Sequence, residues 1–188
     1  MKLKLNLITK SIMAGVLISI GGLALLVQSP LYFGFALLTI CLGNLSLYTG
    51  KIGFVNKKNW KDLPIILLFN IVGVIISVYA FHSLACYETA LTRAQEIVQL
   101  KLSVGLFDTF VSSIFCGLIL FYACTVFNRF KGVEWFVWLA VTVFVLCGFN
   151  HVIADLFYFL MAGIIPFPHL IAILLGNSIG SILARLSE

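Results

Sequence analysis

Gly43-Asn44-Leu45-Ser46-Leu47-Tyr48-Thr49-Gly50 in the first half of the chain and Gly148-Phe149-Asn150-His151 in the second decide how this sequence is read. Each sets polar and flexible residues inside an apolar run long enough to enter a bilayer. Non-helical backbone at membrane depth is stable only where protein buries it or water reaches it. Paired interruptions in two halves of a chain point to a transport site near the bilayer midplane.

Outward from these breaks the sequence is almost all membrane-like. Of its 188 residues, 62% are hydrophobic and 10% are charged, against about 25% charged in soluble domains. The apolar runs are Ser11 to Gln28, Leu31 to Val55 (broken near Gly43 to Thr49), Leu63 to His82, Leu106 to Phe127, Trp135 to Met161 (broken near Gly148 to His151), and His169 to Ala184. A spanning helix needs about 20 apolar residues, so six spans occupy nearly the whole chain as a single transmembrane domain. Lys2, Lys4 and Lys10 before an apolar run outline a signal peptide. The run is too long for that role, carries Gly15, Gly21 and Gly22, and lacks an Ala-x-Ala site.

The net charge of +5 gathers on one side of these spans: Lys2, Lys4 and Lys10, then Lys51, Lys57, Lys58 and Lys61, then Arg129 and Lys131, then Arg185. The other side carries Gln28-Ser29-Pro30, a mixed connection from Tyr87 to Lys101, and Pro166-Phe167-Pro168-His169. The positive-inside rule then places both termini in the cytoplasm of a cell with this chain in its plasma membrane. No clustered basic reading face for nucleic acid is present. Cys41, Cys86, Cys116, Cys124 and Cys147 lack metal-ligand spacing and read as small packing residues. No nucleophile, metal cluster or phosphate loop marks an enzyme, and no cofactor is implied.

The halves, about 1–86 and 102–188, echo each other. Ala14-Gly15 matches Cys116-Gly117, the break at Thr49 matches the break at His151, and Asn70-Ile71-Val72-Gly73 matches Asn177-Ser178-Ile179-Gly180. Three spans per half make this an inverted repeat. The glycines allow close helix approach, and Asn70 and Asn177 are expected to bond across helices or to the broken backbones.

These residues, taken in order, resemble the formate/nitrite transporter family over all six spans. Leu47-Tyr48-Thr49-Gly50 is similar to the family's Leu-Phe-Thr-Gly, and Asn59-Trp60 with Asn70 and Gly73 to its Asn-Trp…Gly-Asn-Leu-x-Gly. Gly148-Phe149-Asn150-His151-Val152-Ile153-Ala154-Asp155 is close to its Gly-Phe-x-His-x-Ile-Ala-Asn, and Gly176-Asn177-Ser178-Ile179-Gly180 to its Gly-Asn-x-x-Gly-Gly. The resemblance implies an aquaporin-like protomer with its own pore, a homopentamer, and passage of small weak-acid anions such as formate or nitrite, as the anion or coupled to protons.

Within that frame His151 is the expected proton-exchanging group, since imidazole alone titrates near neutrality when unperturbed. A polar ring inside a span is costly unless paired or wet. Thr49 is expected to donate to the anion or to the His151 ring, or to cap the half-helix after the break. Lys101 matches a family lysine and is expected to attract anions, or else to snorkel at a helix end. Phe33 and Phe144 fall on the family's outer constriction, Leu37 and Tyr48 on the inner one. Departures are Gly117 where the family has an asparagine sixteen residues after the lysine, Ser46 for an acid, and Asp155 for Asn. Asp155 is expected either to pair with a cation or to act on His151. A channel for neutral solutes and a non-transporting scaffold are the competing readings.

Overall fold

The structure, a computed structural model, describes residues 2–188, with side chains from Lys4 onward. Lys2's side chain lies outside that description. The secondary structure of the described residues is helical throughout: α1 (Lys2–Val27), α2 (Gly34–Leu42) after a 3-10 turn at Pro30–Phe33, α3 (Tyr48–Ile52), α4 (Asp62–Phe81), α5 (Tyr87–Ser103), α6 (Leu106–Arg129), α7 (Glu134–Leu146), α8 (Val152–Met161) and α9 (Phe167–Leu186). Lys4–Val27, Asp62–Phe81, Leu106–Arg129 and Phe167–Leu186 are long and apolar enough to cross a membrane. The two remaining apolar runs are delivered as the shorter helices α2 with α3, and α7 with α8.

Both runs stop in the same way. Asn44 adopts φ 47° and Gly148 φ 68°, the left-handed conformation that ends helices after their last turn. The amide of Leu45 then donates to Ile40 O at 2.9 Å and that of Phe149 to Phe144 O at 3.0 Å, closing the two ends alike. Asparagine tolerates this conformation where most side chains do not. The chain remains non-helical over residues 43–47 and 147–151 before α3 and α8 begin. The first gap is therefore shorter than its sequence suggests, because Thr49 already lies inside α3.

Glycine contacts bring the long helices together in pairs. On α1 and α4, a Cβ at Gly15 would collide with the carbonyl oxygen of Asn70, and one at Gly73 with that of Ile12. On α6 and α9, a Cβ at Gly117 would collide with the carbonyl oxygen of Asn177, and one at Gly180 with that of Ile114. Close backbone approach of this kind is the main source of helix association where lipid replaces water. The match of Gly15 with Gly117 and of Asn70 with Asn177 is thus a match of contacts as well as of letters. Helix α8 runs into the centre of this frame, with every residue from Val152 to Phe159 buried.

One element differs from expectation. The connection from Tyr87 to Lys101 folds as helix α5, seventeen residues long. Its buried stripe is Ala90, Ala94 and Val98, one residue per turn on a single face. That stripe is narrow and small, so the polar remainder dominates the composition and the periodicity is easily overlooked. The helix packs on α1 and α8 and delivers Lys101 in its last turn.

Candidate functional site: two loop tips between two cavities

Each broken run is held by one buried asparagine. Asn70 Oδ1 accepts from the Tyr48 amide at 2.9 Å, while its Nδ2 donates to Ser46 O and Ser11 O, both at 2.8 Å. Asn177 Oδ1 accepts from the Val152 amide at 2.9 Å, while its Nδ2 donates to Asn150 O at 2.8 Å and Ser113 O at 2.9 Å. Both asparagines are 0% exposed. A primary amide supplies one acceptor and two N–H donors in a fixed plane: the acceptor and one donor serve the loop, and the second donor ties it to Ser11 on α1 or Ser113 on α6. Asn70 and Asn177 each bridge the backbone, on the two sides of residue 47 and of residue 151 respectively. The bonds also fix the register: Ser46 matches Asn150 and Tyr48 matches Val152. Thr49 therefore has no counterpart in His151, which stands opposite Leu47.

A side-chain hydrogen bond joins the tips. Thr49 Oγ1 and His151 Nε2 are 2.7 Å apart, with the two residues 1% and 2% exposed. The other ring nitrogen, Nδ1, accepts from the Ala154 amide at 3.1 Å, so His151 caps the N-terminus of α8. An acceptor nitrogen carries no hydrogen, which places the ring proton on Nε2. Nε2–H then donates to Thr49 Oγ1, and the threonine's own hydrogen is left to donate elsewhere. Helix α8 adds a positive helix end at this point; α3 has only five residues and adds little.

A cavity of about 480 Å³ opens on one side of this pair, lined by Phe33, Phe144, His151, Lys101, Asn150 and Asp155 among others. A smaller one of about 50 Å³ includes Leu37, Leu47, Cys41, Cys124 and Asn128. Thr109 borders the first and Cys124 the second. Ser112 also lines the first, so twelve residues of α6 separate them, about 18 Å at the helical rise. Phe33 and Phe144 are buried and meet edge to face at 6.0 Å. Phe144 in turn lies 6.1 Å from the His151 ring.

Lys101 is not a free cation. Its Nζ sits 3.0 Å from Asp155 Oδ1 and donates to Asn150 Oδ1 at 2.6 Å, and Asn150 Nδ2 donates to Ser112 Oγ at 2.6 Å. Of the two roles open to Asp155, pairing with a cation is the one the geometry takes. Neither ring nitrogen of His151 contacts its carboxylate. The amide absent at residue 117 is replaced by Asn150, while Gly117 itself is packed against the α9 backbone. Asn150 and Ser112 were not singled out from sequence, because nothing in their spacing announces a contact between a loop tip, a helix end and a lysine from α5.

Tyr48 borders neither cavity. Its hydroxyl lies 2.9 Å from Ser178 Oγ on α9, so the extra oxygen relative to the family phenylalanine is tied to a helix. Tyr48→Phe is expected to lower stability by about 0.5–1.5 kcal/mol and to leave flux near wild type. Thermal unfolding in detergent and vesicle uptake check the two halves of that statement.

Long apolar helices packed through glycines, with two interrupted runs joined tip to tip, define a multi-pass membrane protein. The formate/nitrite transporter family profile matches residues 2–186, and the chain belongs to that family. A pentameric formate channel with formate bound is similar in structure, at 18% identity and a TM-score of 0.83, over 97% of this chain and 94% of that one. An ion channel described as an FNT family member is 19% identical with a TM-score of 0.74, over 97% of this chain and 86% of that one. No curated protein sequence matches the chain significantly.

Proposed function

We propose that the chain is a channel for small monovalent weak-acid anions such as formate or nitrite, moved together with a proton. Family membership and the formate named for a structural relative support the solute class. In this reading residues 1–188 form one domain of six spans, an aquaporin-like inverted repeat with both termini cytoplasmic. The homopentamer is carried over from the pentameric relative. The matched asparagine bonds and glycine contacts of the two halves support the repeat.

The single observation that carries the reading is the buried Thr49–His151 hydrogen bond between two cavities. A bare anion faces a large desolvation cost in an apolar constriction. Phe33 and Phe144 narrow the outer side and Leu37 the inner side, as rings and chains that exclude hydrated ions. Thr49, accepting from Nε2–H, can turn its own hydrogen to the anion. Proton delivery then runs in balanced steps: a proton arrives on Nδ1, displacing the Ala154 amide. Nε2–H passes to Thr49 Oγ1 as the threonine hydrogen passes to the anion. The products are a neutral acid and a neutral ring protonated on Nδ1; the starting tautomer returns when Nε2 takes up a second proton and Nδ1 releases its own, after which the Ala154 amide can donate to Nδ1 again.

Uptake into vesicles of purified protein tests the reading. Formate, nitrite, acetate, lactate and hydrosulfide are compared with urea at two external pH values. Saturable uptake of at least one weak acid, faster at the acid pH, is the expected result; uptake of urea alone favours a neutral-solute channel, and none favours a scaffold. Thr49→Val keeps the shape but leaves Nε2–H buried without an acceptor, a penalty of about 1–3 kcal/mol. Flux should fall about tenfold for each 1.4 kcal/mol that appears in the barrier.

A further inference from the structure

We infer that Cys41 and Cys124 form a two-sulfur site for a soft, closed-shell monovalent cation of the Cu(I) class, and that an ion held there closes the pore at the smaller cavity. The site stands apart from the proposed function; only the closure rests on the reading that solute passes Leu37.

The fold makes the pair. Cys41 lies in the last turn of α2 and Cys124 on α6, too far apart in the chain for spacing to announce them. Both thiols are free, both line the cavity of about 50 Å³, and a side-chain hydrogen bond joins them. Gly50 of α3 approaches the same place, since a Cβ there would lie 3.5 Å from Cys124 Sγ. The sulfurs therefore sit where both pieces of the first broken run meet α6.

The donor set chooses the metal. Apart from the two cysteines, the polar side chains lining this cavity are Asn44, Lys51 and Asn128, with no carboxylate and no imidazole. Hard cations take shells of oxygen ligands, and zinc takes four ligands. Two sulfurs cannot build either shell, and no group of three or more His, Cys, Asp or Glu gathers for a metal among the described residues. Thiolate sulfur selects Cu(I), and closed-shell monovalent ions are satisfied by two sulfurs in line. Such a bridge is only slightly longer than a thiol–thiol hydrogen bond, so α2 and α6 need hardly move.

The charges balance as well. One cation and two thiols give a bis-thiolate complex of charge minus one and two released protons, with no change of oxidation state. Lys51, in the last turn of α3, lines the same cavity and lies within electrostatic reach of both sulfurs. It takes part in neither ion pair of the described residues, so its ammonium is available to neutralise the complex. A charge left uncompensated at this depth would be costly. The cavity has room for an ion and little more, so an occupied site leaves no passage beside Leu37 and ties α2 to α6.

Silver(I), a member of this class that stays monovalent, is the probe, added in chloride-free buffer to the purified full chain. Native mass spectrometry counts the ions retained after a wash with excess monothiol, which strips silver from any lone cysteine. Wild type, Cys86→Ser and Cys147→Ser are expected to retain one ion per chain, and Cys41→Ser and Cys124→Ser none. X-ray absorption at the silver edge should show a shell of two sulfurs in wild type. One ion per chain should abolish formate flux into vesicles, excess dithiothreitol should restore it, and Cys41→Ser should be insensitive.

No retained silver in wild type, undiminished retention in both Cys41→Ser and Cys124→Ser, or a shell other than two sulfurs overturns the site. Retention with unchanged flux overturns the closure. A chain without formate flux before silver is added overturns the anion-channel reading instead, and retention and absorption still decide the site. Should Cys124→Ser fail to fold, Cys41→Ser and the wild-type absorption spectrum decide.

Discussion

His151→Asn is expected to reduce formate flux by about a hundredfold or more, the scale on which a positioned proton-transfer group contributes, while flux of formamide, a neutral amide with the shape of formic acid, falls far less. The substitution is chosen for what it keeps. His151 caps α8 through Nδ1, and asparagine is among the best N-capping residues. The shorter amide does not reach Thr49 as Nε2 does, so Thr49→Val, which removes the same hydrogen bond but keeps the ring, is the control. What asparagine lacks is a group able to take and release a proton near neutrality. A merely structural histidine would leave both solutes moving as in wild type. A histidine acting only as a hydrogen-bond donor would lower both fluxes, as Thr49→Val does. Selective loss of the solute that needs a proton is the signature of exchange at the ring. Normal acid-dependent formate flux by a folded His151→Asn protein would sink the proton-relay claim. His151→Phe is a poorer test, since loss of the cap costs about 1 kcal/mol and confounds flux with stability.

Much of this architecture was legible in the letters, and the reason is chemical. In an apolar chain a polar residue stands out, so Asn70, Asn177, Thr49 and His151 could be identified before any coordinates, and the structure places all four at the two breaks. The glycine pairs were legible for the same reason: only a residue without Cβ permits the backbone contacts at Gly15, Gly73, Gly117 and Gly180. Register was less legible. Matching Thr49 to His151 by position misses that one lies within a helix and the other caps one, because letters do not record where hydrogen bonding restarts. Helix α5 was hidden by its small buried stripe. The partners of Lys101 were hidden because they depend on how α5 lies across α8, a tertiary fact with no local pattern. That hidden contact changes the chemistry most, since a lysine expected to attract anions or to snorkel at a helix end is half of a part-buried ion pair.

Gly117→Asn is expected to cost the chain its fold, although it installs the residue that the family carries at the matched position. Sequence comparison alone predicts a gain, with the new amide reaching Lys101. The geometry predicts the reverse. Gly117 is 3.0 Å from Asn177 Cα as measured from the place a Cβ would occupy, and closer still to its carbonyl. Ser181 Oγ donates to Gly117 O at 2.9 Å across the same crossing. These neighbours are backbone and cannot swing aside, so α9 must move off α6. Overpacking of this kind costs about 1–3 kcal/mol before other losses. Displacing α9 also withdraws Asn177, which holds the second loop through the Val152 amide and the carbonyls of Asn150 and Ser113. Each buried group left unpaired adds about 1–3 kcal/mol, comparable in sum with the whole stability of a typical domain. Lys101, meanwhile, already has an amide and a carboxylate and gains nothing. Size-exclusion yield in detergent should show loss of monodisperse protein for Gly117→Asn and a lowered melting temperature for Gly117→Ala. Wild-type yield and melting temperature for both would mean that α6 and α9 do not cross as closely as the contacts at Gly117 and Gly180 require.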